Sequence, residues 1–240
     1  MRGRYEFQVR SYECGADGRA TLPTICNYLQ EAASLHAAEL GFSKQDFARD
    51  GHNISWVLTR LVVRMSRYPA WAENLAVETF PRGGRKIVAW RDFALKNDAG
   101  ETLGLASSEW MLIDLSSRRI VPLPQCVFDA ADPANVPVLG HEPFARFRYP
   151  EETPSPALPP LSFRAQKAHI DLNGHVNNVR YVEWMLEPCA NACPAEMEIV
   201  FRSETLVGDE VHVETAASDG FAYHRVCAPD GRDHILARTK

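Results

Sequence analysis

No apolar run in this 240-residue chain approaches membrane-spanning length. The opening residues, Met-Arg-Gly-Arg-Tyr-Glu-Phe, hold no apolar leader, so the expected setting is the cytoplasm, without stable membrane insertion. Basic charge is not in surplus. With a net charge of −5, nothing global argues for nucleic acid as a partner. Cysteines number six, and a reducing compartment makes them free thiols. Cys189 and Cys193 stand four apart with no second pair and no flanking histidine, so no metal site is expected. Three enzyme signatures are missing as well. There is no Gly-x-Ser-x-Gly elbow, no dinucleotide fingerprint and no P-loop. The chain therefore needs no cofactor that its sequence announces.

What is present is ordinary globular material, 45% hydrophobic and 24% charged. Alternation over 5–13 predicts a strand. Helical spacing from Leu22 through Ile25, Cys26, Leu29, Ala33 and Leu40 predicts a helix over 23–40, ended by Gly41. Residues 42–52 look loop-like. Four strands follow, at 54–68, 74–81, 85–96 and 102–115, with a hairpin turn at Asn97-Asp98-Ala99-Gly100. The texture then changes. Ten of the sixteen prolines fall between Pro122 and Pro160, which reads as a connector. Phe128, Phe144, Phe147 and Tyr149 predict that parts of it pack down.

The element order then repeats. Strand 161–168 precedes a polar turn, a helix ending near Glu187, and strands at 195–207, 211–217, 223–227 and 235–238. Asn74-Leu-Ala-Val-Glu-Thr79 echoes Glu210-Val-His-Val-Glu-Thr215, 136 residues on. A helix wrapped by a long antiparallel sheet, made twice, is an α+β tandem hot-dog. The expected domains are 1–120, a connector at 121–160, and 161–240.

The polar turn is Asp171-Leu-Asn-Gly-His-Val-Asn-Asn178. Asp171, Asn173 and His175 alternate, while Asn177 and Asn178 suit a helix cap. The matching turn of the first half, Glu13-Cys-Gly-Ala-Asp-Gly18, has no Asn and no His. The 136 offset also sets Glu204 opposite Tyr68. Chemistry is thus expected in the second half. Singly, each residue has a bland reading: Asp171 as a turn brace, His175 as a loop histidine, Glu204 as a solvated carboxylate. A calcium loop is a poor fit, because Val176 and Val182 occupy its sixth and twelfth places.

The chain resembles the fatty acyl-ACP thioesterases of plant plastids and bacteria. The resemblance rests on Asp171-Leu-Asn-Gly-His-Val-Asn-Asn-Val-Arg-Tyr-Val-Glu-Trp184 and Phe201-Arg-Ser-Glu204. In the first half it rests on Trp56 to Trp71 and on Ala106-Ser-Ser-Glu-Trp-Met111. It implies two hot-dog repeats, hydrolysis of an acyl-carrier thioester, and catalytic roles for Asp171, Asn173, His175 and Glu204. Plant members often carry Cys directly after that Glu, where this chain has Thr205. A threonine without a base is a poor nucleophile, so the expectation is water activated by His175 and Glu204. Asp171 is left three roles: turn brace, base or nucleophile. Backbone N–H groups of Gly174 and Val176 are the oxyanion candidates.

Ile25, Leu29, Ala33 and Val57 are expected to line or back an acyl pocket. Trp56, Trp71 and Trp184 are expected to pack. The implied partner is an acidic acyl carrier protein, with Arg118, Arg119, Arg164, Lys167 and Arg180 among its docking candidates. A monomer and a homodimer remain open. A hot-dog acyl-CoA thioesterase and a non-catalytic acyl-binding module stand as alternatives. A hot-dog hydratase fits less well, its Asp-x-Asn-Pro-x-His turn being one residue longer.

Overall fold

The computed structural model describes residues 2–139, 148–150, 158–189 and 193–240. The chain divides into two compact units, one ending at His141 and one beginning at Glu142, with Thr21–Pro23 grouped with the second. Of the connector, 140–147 and 151–157 lie outside the described residues, and Phe144 and Phe147 with them.

The first unit runs β1 (Gly3–Gln8), α1 (Leu22–Glu39), α2 (Lys44–Arg49), β2 (Ile54–Met65), β3 (Asn74–Arg85), β4 (Val88–Asn97), β5 (Thr102–Asp114), β6 (Ile120–Val121) and α3 (Gln125–Asp129). Its antiparallel sheet has the order β1-β3-β4-β5-β2, with β6 added to β5. Helix α1 forms because its apolar residues recur every three or four positions. Ile25, Cys26, Leu29, Ala32, Ala33 and His36 make one buried face. That face lies on the sheet: the Tyr28 ring stacks on Phe7 of β1 at 4.6 Å.

Two short helices depart from the sequence reading. Residues 42–52 hold α2, opened by a reciprocal cap in which Ser43 accepts from the Asp46 N–H and Asp46 from the Ser43 N–H. The proline-rich stretch holds α3, whose Val127 is buried with Leu123 against Ala37, Phe42 and Leu112; Phe128 packs there as expected. Strand β3 also runs past Pro81 to Arg85, with a register shift between Pro81 and Gly84 that absorbs the missing donor.

The second unit runs β7 (Leu161–Arg164), α4 (Asn178–Leu186), β8 (Glu196–Phe201), β9 (Glu210–Ser218), β10 (Phe221–Cys227) and β11 (Asp233–Thr239). Its sheet order is β8-β11-β10-β9-β7. Strand for strand this is the order of the first unit. The register agrees too: Asn74 of β3 faces Gln8, the last residue of β1, and Glu210 of β9 faces Arg164, the last of β7. Helix α4 packs across β9 and β10. Val182 and Met185 are buried with Met197, Ile199, Val211 and Val213. Each unit is thus a helix on an antiparallel sheet, as the repeat predicts.

All six cysteines are free. No helix is long and apolar enough to cross a membrane among the described residues, and no His/Cys/Asp/Glu group there could hold a metal ion.

Candidate active site

The turn 171–175 links a 3-10 turn, Lys167–His169, to the start of α4. Its shape is set by backbone bonds. The Asp171 N–H donates to the His175 carbonyl at 2.9 Å, and the Gly174 N–H to the Asp171 carbonyl at 3.1 Å. Gly174 has φ +82, a conformation that a side chain disfavours. The Asp171 carboxylate braces the loop from inside, with Oδ1 accepting from the Asn173 N–H at 2.7 Å. Asn177 then caps α4 by accepting from the Val179 N–H at 2.9 Å.

Beside this turn runs the segment leaving β8. The Val176 N–H donates to the Thr205 carbonyl at 3.0 Å. That bond brings together two side chains 29 residues apart. His175 Nε2 lies 3.0 Å from Glu204 Oε2, and both remain open to solvent, at 28% and 43% side-chain exposure. An imidazole fixed by a carboxylate on one ring nitrogen keeps the other for proton transfer. Asp171, Asn173, His175 and Glu204 are therefore gathered in one unit. Thr205 is fully buried, and its Oγ1 accepts from the Tyr181 hydroxyl at 2.8 Å.

The first unit contains the same backbone without these side chains. The Gly15 N–H donates to the Arg19 carbonyl at 2.8 Å, the Gly18 N–H to the Gly15 carbonyl at 3.0 Å, and the Ala20 N–H to the Pro69 carbonyl at 2.9 Å. Gly18 has φ +73. Ser66 and Arg67 donate to the Leu103 carbonyl, as Arg202 and Ser203 do to that of His234. Gly15, Asp17 and Arg19 thus match Asp171, Asn173 and His175, while Tyr68 matches Glu204 and Pro69 matches Thr205. Where the second unit has its imidazole–carboxylate pair, the first has Arg19 Nη1 donating to the Tyr68 carbonyl at 3.0 Å.

The remaining candidates fall as follows. The Gly174 and Val176 N–H groups are both spent on the turn and its neighbour. The His175 N–H lies between them and makes no such bond among the described residues. Ile25 and Leu29 are buried, and Val57 is half-buried. Ala33 borders a cavity of about 80 Å³ in the first unit, with Ala37, Phe42, Trp56, Trp110 and Arg91. Arg118 and Arg119 are exposed on the first unit; Arg164 and Lys167 are exposed on the second, where Arg180 is half-buried. Arg164 pairs with Glu210 at 3.4 Å and Arg180 with Glu183 at 2.7 Å. Trp184 is buried against Phe163, His169 and Tyr181. Trp71, expected to pack, is instead 65% exposed, because the turn after Ala70 carries it outward. Sequence reasoning missed His234 and met Tyr181 only as a member of the motif; what marks both in the structure is their burial.

Residues 3–130 match the acyl-ACP thioesterase N-terminal domain and residues 159–240 the C-terminal domain. Oleoyl-acyl carrier protein thioesterase 2 of Arabidopsis thaliana is 37% identical over 76% of this chain and 52% of its own length. The oleoyl-acyl carrier protein thioesterase of Coriandrum sativum is 32% identical over 96% of this chain and 69% of its own. The chain spans about half the length of the first curated relatives. A crystal structure of an acyl-ACP thioesterase from Bacteroides thetaiotaomicron superposes with TM-score 0.85 at 24% identity, covering 99% of this chain and 96% of that one. That likeness identifies the fold as a double hot-dog. With its two domain matches in order, the chain belongs to the acyl-ACP thioesterase family.

Proposed function

We propose that this protein hydrolyses the thioester of fatty acyl-[acyl-carrier-protein], releasing a free fatty acid and the carrier thiol. The observation that carries the reading is the 3.0 Å contact between His175 Nε2 and Glu204 Oε2, formed in the one unit whose matched turn replaces Arg19 with histidine. Glu204 accepts a hydrogen bond from the Nε2–H and so holds the ring's single proton there, leaving Nδ1 as the basic nitrogen. Nδ1 takes a proton from water as the oxygen attacks the thioester carbonyl, and returns it to the departing sulfur. Water and thioester thereby become acid and thiol, with no covalent enzyme intermediate. Asp171 acts as the brace of the turn, given its 2.7 Å bond to the Asn173 N–H. Asn173 presents its amide to the substrate. The His175 N–H, lying between two amides already engaged, receives the developing oxyanion.

The acyl chain is assigned to the first unit, where Ala33 and three tryptophans border an apolar cavity. The carrier is assigned to cations of the second unit. Lys167 is foremost among them, being exposed with no ion pair among the described residues, whereas Arg164 and Arg180 are paired with carboxylates. The test is hydrolysis of a panel of acyl-ACPs and the matching acyl-CoAs, with His175→Ala as control. Turnover of acyl-ACP that the variant abolishes supports the reading. Turnover unchanged in the variant sinks the mechanism, equal use of both thioesters sinks the carrier claim, and binding without turnover makes the protein an acyl-binding module.

A further inference from the structure

Glu204 lies three residues beyond the end of β8, with its side chain 43% exposed. Something must hold it at hydrogen-bond distance from His175. Its neighbour Thr205 is 0% exposed and bonded twice. The Thr205 carbonyl accepts from Val176, the residue after His175. Its Oγ1 accepts from the Tyr181 hydroxyl at 2.8 Å. Tyr181 is 2% exposed and is fixed in turn by edge contacts to Trp184 at 5.3 Å and Phe201 at 6.2 Å. On the other side of Glu204, the His234 carbonyl accepts from the Arg202 and Ser203 N–H groups at 2.8 and 3.3 Å. The ring of His234 meets Ser203 Oγ at 3.0 Å. The carboxylate is thus bracketed by buried groups on both flanks.

The first unit supplies an internal control. It makes the same backbone bond, Ala20 N–H to Pro69 carbonyl at 2.9 Å, with Pro69 in place of Thr205. Ile25 takes the place of Tyr181, three residues into the matched helix. The frame therefore forms without any hydroxyl pair. The pair appears only where an imidazole and a carboxylate must be held together.

We propose that Tyr181 and Thr205 are positioning residues, whose buried hydrogen bond holds Glu204 within reach of His175. This rests on the acid–base reading of that pair. A side-chain bond between buried groups fixes one relative setting of helix α4 and the Glu204 segment, and a carboxylate displaced by about 1 Å can cost roughly a hundredfold in rate. The tie acts before substrate arrives, so it bears on kcat and not on KM.

The test uses Tyr181→Phe, Thr205→Val, their combination and Thr205→Ser. Tyr181→Phe should lower kcat about tenfold and Thr205→Val less, each with KM within about twofold, because the tyrosine oxygen also meets the Thr205 backbone and only Tyr181→Phe removes both bonds; the double variant should be no worse than Tyr181→Phe. Thr205→Ser keeps the acceptor oxygen and should recover most of the rate. The imidazole titration of His175, followed by NMR, should shift in Tyr181→Phe and return in Thr205→Ser. That titration needs no turnover, so an inert wild type would fail the function while leaving the tie testable. Unchanged kcat and titration in both single variants would overturn the proposal, as would losses that add in the double or a fall in melting temperature alone. Should Thr205→Val not fold, Thr205→Ala carries the same arm; Tyr181→Phe changes no shape.

Discussion

Two turns of one backbone, 15–19 and 171–175, carry opposite chemistry. Both close with the same pair of main-chain bonds, both place a glycine at positive φ, and both are tied by one amide to the segment beyond a long strand. The first fills this frame with Gly15, Asp17 and Arg19, and the second with Asp171, Asn173 and His175. The frame is therefore a property of the fold, since it survives an almost complete change of side chains. On the proposed reading, function is carried by what projects from it. In the first unit a cation donates to a backbone carbonyl, which is a structural bond with no titrating partner. In the second an imidazole faces a carboxylate, the contact on which the proposed proton transfer rests.

The strongest way to break this contrast is to remove the pair. His175→Ala and Glu204→Gln should each lower kcat about a thousandfold, within the range ascribed to general acid–base groups. Their combination should fall no further, because they act as a unit. Steady-state hydrolysis of acyl-ACP measures this, and additive losses would assign the two residues to separate steps.

How much of this was legible beforehand differs by residue. Element order, both main helices and most strands follow from periodicity, because amphipathic faces must alternate with the core. The helix α2 was hidden by its length, although Ser43 and Asp46 stand at capping-box spacing. Helix α3 was hidden by the prolines around it. At the site, Asp171 to His175 are contiguous and so visible as a motif. Glu204, distant in the chain, became visible through the duplication, which set it opposite Tyr68, and through the resemblance carried by Phe201-Arg-Ser-Glu204. His234 was not visible at all, and Tyr181 was visible only as a motif member: a tyrosine on an apolar helix face reads as core, and its bond to Thr205 depends on tertiary register. The engagement of the Gly174 and Val176 amides is likewise a matter of backbone geometry that no residue type announces.

The cores offer a second comparison. Besides His234, buried next to the Glu204 segment, each unit buries one histidine: His36, bonded to Arg91 at 2.9 Å, and His224, set between Thr215 and Thr239 at 3.2 and 2.9 Å. Burial, the larger cause in each, pushes both down to about 4; in His36 the Arg91 charge adds to it. The folded chain then holds these rings neutral while the unfolded chain protonates them below about 6.5. Stability is complete above that value and is lost as pH falls from 6.5 toward 4. Between pH 7 and pH 5, His224 should account for about 2 kcal/mol of lost stability. Urea unfolding at the two pH values measures it. His224→Gln should flatten the dependence by that amount, and an unchanged slope would place the acid sensitivity elsewhere.

A smaller effect is expected at the centre of each turn. Asn173→Ala removes a side-chain amide beside the pair and should lower kcat about tenfold, the scale of one hydrogen bond to a charged group. Asp17→Ala, its match in the first unit, removes a carboxylate that accepts from the Arg19 N–H at 3.1 Å and should leave kcat alone. Parallel kinetics on the two variants checks the asymmetry. Equal losses would mean that both turns meet substrate.

The smallest expected effect tests the contrast most sharply. Arg19 occupies the place of His175, and its guanidinium donates to the Tyr68 carbonyl at 3.0 Å. If that turn is scaffold, Arg19→Gln removes one partly exposed bond and a minor charge interaction with Glu73. A bond of this kind contributes about 1 kcal/mol, which in a chain of this size is a fall of roughly 2–4 °C in melting temperature. The rate per folded molecule should stay within about twofold of the parent. Melting temperature and kcat measured on one preparation separate the outcomes. A lowered melting temperature at constant kcat keeps the first turn structural. A tenfold loss of kcat at constant stability would make Arg19 part of the chemistry, and the two turns would then be halves of one site rather than a working copy and its frame.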